Sequence, residues 1–231
     1  MVLEAAYDEM HVGRKPNRNP IPTDRWPRIR REACVYFAPG GRRVLDVGCG
    51  SGVVLYNLRD RYELLCGVEL SSVRAETCRG TLDGLNARVE CGNVETGLPF
   101  EDGHFDTIIF SDVIEHVVDV WGAMAELRRL LEPGGTLVLT TPNIAELRRR
   151  LTLLMGRFPS TSAGDEGFAI ATPNTPLDGG HMHYFNYSML EKLFRKYEFS
   201  RTRRFGIGRL GRLHDLVPTL LSSACVVVAN K

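Results

Sequence analysis

Short apolar runs alternate with segments of helical periodicity between residues 43 and 142. The apolar runs are continuous rather than alternating, which is typical of parallel strands buried on both faces. The intervening segments carry apolar residues on one side, so each can cover one face of a sheet. The predicted strands are residues 43–48, 63–70, 87–93, 104–112 and 136–142, and the predicted helices between them are residues 53–61, 71–82 and 114–135.

This alternation predicts a doubly wound, Rossmann-like α/β fold, because parallel strands joined through helices make right-handed crossovers. We expect a mostly parallel seven-stranded sheet with helices on both faces. Outside the alternating region, helices are predicted at 28–38, 143–158 and 187–199, and the last two strands at 199–207 and 223–230. Ligands on such sheets bind at the carboxyl ends of the strands.

The length of 231 residues fits a single domain. Within residues 1–231 we distinguish an N-terminal cap segment (1–30), a cofactor-binding core (43–142), an insertion (143–186) and a C-terminal helix with the last strands (187–231). Long irregular stretches such as 160–185 are usually functional or disordered. We therefore expect the insertion and the cap segment to form an acceptor pocket.

The formal net charge of +1 gives no overall field toward nucleic acid or an anionic membrane. No apolar run is long enough to span a bilayer, and residues 1–16 lack the apolar core of a secretory signal. The six cysteines form no C-x-x-C pair, so we interpret them as reduced core residues of a cytoplasmic protein. Nucleic acid is not expected as a partner, and the oligomeric state is left open.

The sequence Val44-Leu45-Asp46-Val47-Gly48-Cys49-Gly50-Ser51-Gly52 joins a predicted buried strand to a helix through a G-x-G-x-G turn. Glycine permits a tight turn and a close approach of the backbone to a ligand. The N–H groups at the start of the next helix suit a carboxylate. Asp46, at the strand end, could accept hydrogen bonds from an ammonium group.

Glu69 ends the next predicted strand, where an acid commonly accepts hydrogen bonds from ribose hydroxyls. NAD is the rival ligand, but it usually requires the longer G-x-G-x-x-G spacing. Asp46 would also repel a pyrophosphate. S-adenosylmethionine (SAM) carries an ammonium and a carboxylate but no phosphate, so the motif favours SAM as cofactor, with S-adenosylhomocysteine as its product.

Residues 43–141 resemble the class I SAM-dependent methyltransferase family, especially its small-molecule branch of the type 11 kind. The resemblance rests, in order, on VLDVGCGSG, GVEL, CGNVE with LPF, FDTIIFSDVIEHV and LLEPGG. It implies that Gly48, Cys49 and Gly50 pass under the methionine moiety, followed by Gly52, while Asp46 holds its amino group. It further implies roles at the nucleoside and substrate ends of the cofactor: Glu69 for the ribose, Leu70, Asn93, Val94 and Glu95 around adenine, and Ser111 at the methionine end.

Three histidines are candidates for catalysis. His116 follows the fourth predicted strand in a Glu-His pair that many relatives carry. His181 and His183 lie in an H-x-x-x-F element similar to that of glycan-, lipid- and quinone-modifying relatives, which implies a place near the methyl acceptor. A neutral imidazole is suited to act as a general base. The alternative for each histidine is a structural hydrogen bond.

Neither a metal site nor a nucleic-acid surface is predicted. Metal sites need three or four convergent ligands, and the spacing of Glu115, His116 and the His-x-His pair shows no convergence.

In the family, a segment such as 1–30 often folds over the cofactor. This segment and the residue that follows it contain Tyr7, His11, Trp26, Arg25, Arg28, Arg30 and Arg31. One of the arginines could pair with the methionine carboxylate of SAM, and the alternative is a solvated basic face. The basic run from Arg201 to Arg212 is interpreted as a solvated face, with an amphipathic lipid- or partner-binding element over 206–221 as the alternative.

The predicted function is methyl transfer from SAM to an oxygen, nitrogen or carbon of a small-molecule or lipid- or glycan-linked acceptor. An RNA or protein methyltransferase is the first alternative. Base-nitrogen methyltransferases usually carry Asn/Asp-Pro-Pro-Tyr after the fourth strand, whereas this chain has Ser111-Asp112-Val113-Ile114. A non-catalytic SAM-binding regulator is the second alternative, since binding and catalysis use different residues.

Overall fold

The computed structural model describes residues 8, 12–162 and 177–231. Seven strands form one sheet in the order β3-β2-β1-β4-β5-β7-β6. All neighbouring pairs from β3 to β5 are parallel, while β7 runs antiparallel to both β5 and β6. The strands are β1 (Gly41–Val47), β2 (Tyr62–Glu69), β3 (Ala87–Cys91), β4 (Phe105–Ser111), β5 (Leu131–Pro142), β6 (Ser200–Phe205) and β7 (Ala224–Asn230). The predicted doubly wound, mostly parallel seven-stranded sheet is thus confirmed.

Helices cover both faces of the sheet, as predicted. Val44 and Ile109 face a core made with α1, α2 and α3, whereas Leu45 and Ile108, one residue away, face a second core made with α4 and α6. Alternate side chains of a strand point to opposite faces, so the two cores lie on either side of the sheet. The helices are α1 (Arg30–Phe37), α2 (Val53–Leu58), α3 (Ser72–Leu82), α4 (Val120–Leu130), α5 (Leu147–Leu154), α6 (Tyr187–Lys196) and α7 (Pro218–Leu221).

At the carboxyl edge of the parallel strands, β5 and β6 end and β7 begins. Pro142, where β5 ends, pairs with Ala224, where β7 begins. Phe205, where β6 ends, pairs with Val226. The segments that follow β5 and separate β6 from β7 therefore leave the sheet at the same edge as the loop after β1.

One predicted helix is much shorter in the structure. The sequence predicted a helix over 114–135, but α4 begins at Val120 and the chain enters β5 at Leu131. Asp119 caps the helix by accepting a hydrogen bond from the Gly122 N–H, and Leu131 adopts an extended conformation. Leu130 and Leu131 are both fully buried, so the apolar pattern does not mark the change from helix to strand.

The described part of the N-terminal segment packs mainly along α3 and α2. Asn17 N–H donates to the Thr81 hydroxyl and Ile21 N–H to the Asn57 side chain. Asp8 accepts hydrogen bonds from the hydroxyls of Ser71 and Ser72, at the start of α3. Tyr7 and His11 lie outside the described residues, as does 163–176 of the insertion.

The six cysteines are thiols, and all but Cys91 are buried, as their placement in apolar runs predicted. None of the helices that the structure describes has the length and apolar character needed to cross a membrane.

Candidate functional site

The glycine-rich turn leads from β1 into α2 and bends back over the end of β2. The N–H groups of Gly48 and Cys49 both donate to the Val68 carbonyl, at 2.7 and 3.0 Å. Gly48, Gly50 and Gly52 have φ angles of 76°, 56° and 75°, in the left-handed region that glycine adopts without strain. A Cβ atom at Gly48 would lie 2.3 Å from Val113 Cγ2, so the turn after β1 and the loop after β4 are too close for any side chain there.

A cavity of about 480 Å³ opens beside this turn, within the size range of small-molecule sites. Seven of the predicted cofactor residues line it: Gly48, Glu69, Leu70, Asn93, Val94, Glu95 and Ser111. Val47, Val68, Val113 and Val117 add apolar wall. An apolar slot with a few fixed polar groups fits a nucleoside, so these residues could hold SAM.

The other four predicted cofactor residues are not part of the cavity lining. Cys49 Sγ lies 3.6 Å from Cys78 Sγ in the core, and a side chain at Gly52 would meet that same sulfur at 2.7 Å. These two positions therefore hold the turn against α3. Asp46 is 3% exposed, and burial, followed by the charge of Glu69, raises its pKa to about 8.

Glu69 is held rigidly at the end of β2. Its Oε2 accepts the Gly50 N–H at 2.8 Å and its Oε1 accepts the Ser71 N–H at 3.2 Å. Arg74 Nε lies 3.5 Å from Oε2, and Arg74 itself lines the cavity. Each carboxylate oxygen has two lone pairs, so Glu69 can still accept hydrogen bonds from two hydroxyls.

The three polar residues predicted at the adenine and methionine ends all have partners that fix their positions. Asn93 Oδ1 accepts the Glu95 N–H. The Glu95 carboxylate accepts the N–H groups of Val118 and Asp119. Ser111 Oγ lies 2.8 Å from Thr140 Oγ1. Glu95 thus ties the loop after β4 to the loop after β3, across one end of the cavity.

Arg30 is the N-terminal arginine that reaches the cavity wall. Its Nε forms an ion pair with Asp112 Oδ2 at 2.7 Å, and Asp112 lines the cavity. Asp112 has a φ of 56°, an uncommon value for a residue with a side chain. Arg25 instead pairs with Glu32, and Trp26 Nε1 donates to the Gly206 carbonyl.

Glu115, His116 and His181 meet beside the cavity, whose wall includes His116. Each offers one polar side-chain atom within 4.8 Å of the others, and the two imidazole centroids are 4.7 Å apart at 73°. His116 lines the cavity together with Gly179. This convergence, which the sequence spacing did not predict, gives a group of three that could hold a divalent cation or exchange protons.

Hydrogen bonds fix the tautomers of both histidines. His116 Nδ1 lies 3.2 Å from the Gly180 carbonyl, which can only accept, so Nδ1 carries the proton. The Thr161 hydroxyl donates to Asp178 at 2.8 Å and therefore accepts from His181 Nδ1 at 2.6 Å. In both neutral rings, Nε2 is left as the proton acceptor.

Burial sets the charge of this cluster. It lowers the pKa of His116 below the ordinary 6.5, and burial together with the charge of His116 lowers the pKa of His181 to about 4. Burial, reinforced by the charge of Asp112, raises the pKa of Glu115 to about 8. At neutral pH the cluster thus contains two neutral imidazoles and one protonated carboxyl group.

Glu115 also connects three elements. Its Oε2 accepts the Thr141 hydroxyl of β5 at 2.9 Å, and its backbone carbonyl accepts the N–H groups of Met182 and His183. Its Oε1 is buried and has no hydrogen-bond partner among the described residues. His183 packs with its ring centroid 6.1 Å from that of Phe185, so His181, rather than His183, completes the cluster.

We expect Glu115→Gln to remove a pH dependence of stability. Folded Glu115 has a pKa of about 8 and an ordinary carboxyl of 4.5, so only the unfolded state releases the proton between these values. This contribution is therefore present below pH 4.5 and is lost as pH rises through 8. Urea unfolding should show that wild type loses a few kcal/mol relative to the Gln variant between pH 5 and 8, since one pKa unit is worth about 1.4 kcal/mol.

The matched control for this experiment is Glu198→Gln. Its side chain is 79% exposed, so the same chemical change at the surface should leave the pH dependence almost unaltered. Equal pH dependence in the wild type and the Glu115→Gln variant would contradict the protonated state of Glu115.

Several site residues lie outside the predicted set. Asp112 and Glu115 fall in the loop after β4, a position that the fold itself marks as ligand-facing. Arg74 is in the first turn of α3, beyond the strand end, and only the fold brings it to Glu69. No sequence pattern pointed to Asp178 and Thr161, because they contact His181 or its partner and do not line the cavity.

Comparisons with known proteins show the family to which the chain belongs. The methyltransferase-domain family model matches residues 23–202. The chain is 38% identical over 107 residues to a 37.1 kDa protein of transposon TN4556 from Streptomyces fradiae, covering 45% of this chain and 31% of that protein. It is 32% identical over 107 residues to a ubiquinone biosynthesis O-methyltransferase from Alkalilimnicola ehrlichii, covering 45% and 42%.

The chain therefore spans less than half the length of these curated relatives. A SAM-dependent methyltransferase from Thermotoga maritima has the same fold, with a TM-score of 0.58, 20% identity and coverage of 87% of each chain. The family match, together with the SAM-dependent methyltransferases that share this fold, confirms the prediction that SAM is the cofactor. The chain belongs to the methyltransferase-domain family.

Proposed function

We propose that the protein transfers a methyl group from SAM to a nucleophile of a small-molecule or lipid- or glycan-linked acceptor. The observation that carries this proposal is the Glu115–His116–His181 cluster, whose His116 lines the same cavity as the cofactor residues. A regulator that only binds SAM has no need of proton acceptors there. A hydroxyl is the acceptor group that best suits this cluster, because it must lose a proton.

We propose that Glu69, Leu70, Asn93 and Val94 hold the nucleoside and that the Gly48–Gly50 turn holds the methionine end. Asp46, behind this turn, would accept a hydrogen bond from the methionine amino group once its own carboxyl is ionised. Glu95 and Ser111 complete this site by fixing the loops around it. SAM, when bound, supplies a methyl group that its sulfonium makes electrophilic. The protein then has to align the acceptor and remove its proton.

His116 is the proposed general base, because it lines the cavity and its Nε2 is the proton acceptor. With SAM bound, Nε2 would take the proton of the acceptor hydroxyl while the methyl group passes to its oxygen, with S-adenosylhomocysteine as the leaving group. His181 and Glu115 position the His116 ring. His183 remains a second candidate that its packing beside Phe185 does not favour.

Calorimetric titration with SAM, S-adenosylhomocysteine and NAD is the first test. Micromolar binding of the first two without an NAD signal supports the proposal, and binding of NAD alone contradicts it. A panel of phenols, catechols and polyprenyl phenols should then be screened for release of S-adenosylhomocysteine. The methyltransferase in Alkalilimnicola ehrlichii named for ubiquinone biosynthesis makes phenolic acceptors a rational start.

Chelation separates proton transfer from metal chemistry at the cluster. We expect the activity to survive prolonged treatment with EDTA, because the proposed base needs no cation. Loss of activity in EDTA with full recovery on adding a divalent cation would assign Glu115, His116 and His181 to a metal site. Binding of S-adenosylhomocysteine, measured in the same samples, controls for loss of folded protein.

A further inference from the structure

Helix α5 exposes its apolar side chains and buries a polar one, the reverse of the usual arrangement. Its one buried side chain is Thr152, whereas its four leucines are exposed: Leu147 (47%), Leu151 (49%), Leu153 (62%) and Leu154 (82%). Met155 and Phe158, which follow it, are 65% and 47% exposed. A helix of a water-soluble domain normally turns its apolar stripe inward, so α5 presents a surface suited to an apolar environment.

A second exposed apolar segment adjoins α5. Between β6 and β7, Leu210, Leu213, Leu216 and Val217 are 46–75% exposed, and α7 has no buried residue. A groove between the two segments is lined by Leu147, Leu151 and Met155 on one side and by Leu220 and Leu221 on the other. Asn143, just before α5, donates to the carbonyls of Thr219 and Ser222, which fixes the segments together.

The same two segments concentrate positive charge. Residues 143–158 and 206–223 contain six arginines and two carboxylates. Because the net charge of the chain is only +1, the remainder is acidic on balance. Glu146 is paired with Arg149 at 2.7 Å, and Asp215 accepts the Gly206 N–H. Five arginines of these two segments are exposed: Arg148, Arg150, Arg157, Arg209 and Arg212.

We propose that this face, formed by residues 147–158 and 209–221, docks on the surface of an anionic lipid bilayer. Exposed leucines enter the boundary between headgroups and acyl chains, while arginines hold the phosphates and carboxylates of the headgroups. So many exposed apolar residues in two adjoining segments are uncommon on a surface that faces only water. The basic rim makes an anionic lipid the complementary partner.

Topology places this face on the same edge of the sheet as the cofactor cavity. α5 follows the carboxyl end of β5, and residues 206–223 precede β7 at the pairing of Pro142 with Ala224. A docked protein would therefore turn its cavity edge toward the bilayer, where a lipid-borne acceptor is held. The role of docking in presenting a lipid-borne acceptor to the cavity rests on the proposed function, but lipid binding itself does not.

Vesicle co-sedimentation of the full chain tests the proposal, with phosphatidylcholine vesicles that contain or lack phosphatidylserine. We expect binding to the anionic vesicles that weakens in high salt. Leu154→Glu and Leu216→Glu should each weaken it by roughly tenfold or more, because each removes apolar burial and adds a repelled charge. The matched control is Val12→Glu, since Val12 is 75% exposed, as is Leu216, and lies on the N-terminal segment.

Binding of S-adenosylhomocysteine should be the same in all three variants, so failure of the lipid proposal and failure of the cofactor proposal are distinguishable. Absence of wild-type binding to anionic vesicles, or equal loss in Val12→Glu, overturns the proposal. So does a wild-type dimer in light scattering that Leu154→Glu and Leu216→Glu convert to a monomer, because a second copy would then cover the face.

Discussion

Replacing Gly48 with alanine is expected to weaken SAM binding by roughly 10–100-fold while leaving the domain folded. The new Cβ would lie 2.3 Å from Val113 Cγ2, and both residues line the cofactor cavity. Val113 can yield only by moving into the cavity or by displacing the loop after β4. Overpacking of this kind costs about 1–3 kcal/mol, and about 1.4 kcal/mol corresponds to tenfold in affinity.

Gly84→Ala is the matched control for this change. Gly84 has a φ of +79°, close to the +76° of Gly48, but a Cβ there would meet no atom within 4 Å. Both variants therefore bear the strain of a left-handed alanine, about 1–2 kcal/mol, and only one adds a clash in the cavity. Calorimetry should find unchanged affinity in Gly84→Ala, and equal affinity in Gly48→Ala would show that the Gly48–Val113 contact does not shape the site.

His116→Gln is expected to lower kcat by roughly 10²–10⁴-fold, the usual range for loss of a general base, with little change in SAM affinity. Because burial keeps the pKa of His116 below 6.5, the base form persists into mildly acidic solution. The wild-type rate should therefore fall on acidification with a midpoint below pH 6.5, the ordinary pKa of a histidine. The measurement is the pH profile of kcat with the acceptor found in the screen.

His104→Gln serves as the control, since His104 precedes β4 and so lies at the opposite edge of the sheet. It should leave kcat and its pH profile unchanged. A His116→Gln rate close to wild type would remove His116 from the chemistry. If only the pH profile shifts in a His181→Gln variant, His181 acts by positioning His116, as we propose.

The order of strands and helices was predictable, because continuous apolar runs and helical periodicity survive in local sequence. Most element bounds agree within a few residues. The boundary between α4 and β5 was not predictable, since Leu130 and Leu131 are equally buried on both sides of it. There, the decision between helix and strand comes from tertiary pairing of Leu131 with Phe105, which local periodicity does not encode.

One end of the candidate site was predicted from the sequence more completely than the other. The proposed nucleoside end lies at strand ends, so the fold alone directs attention to Glu69, Leu70 and Asn93. The Glu115–His116–His181 cluster depends on a loop that returns about sixty residues later; its two histidines were predicted only singly, and Glu115 was not predicted as a site residue. Second partners such as Thr141 and Asp178 are invisible to such reasoning, because they touch other side chains and not a ligand.

The position of β7 has a consequence for how the protein is made. β7 lies between β5 and β6 in the sheet although it follows both in the chain. On the ribosome, β5 and β6 therefore emerge before the strand that separates them, and each keeps an open edge until residues 224–230 arrive. Thr140 and Thr141 on β5, which hold Ser111 and Glu115, gain their final strand partner at that moment. The cofactor site can thus be completed only after β7 has emerged, and a nascent chain stalled before β7 would expose strand edges that invite aggregation.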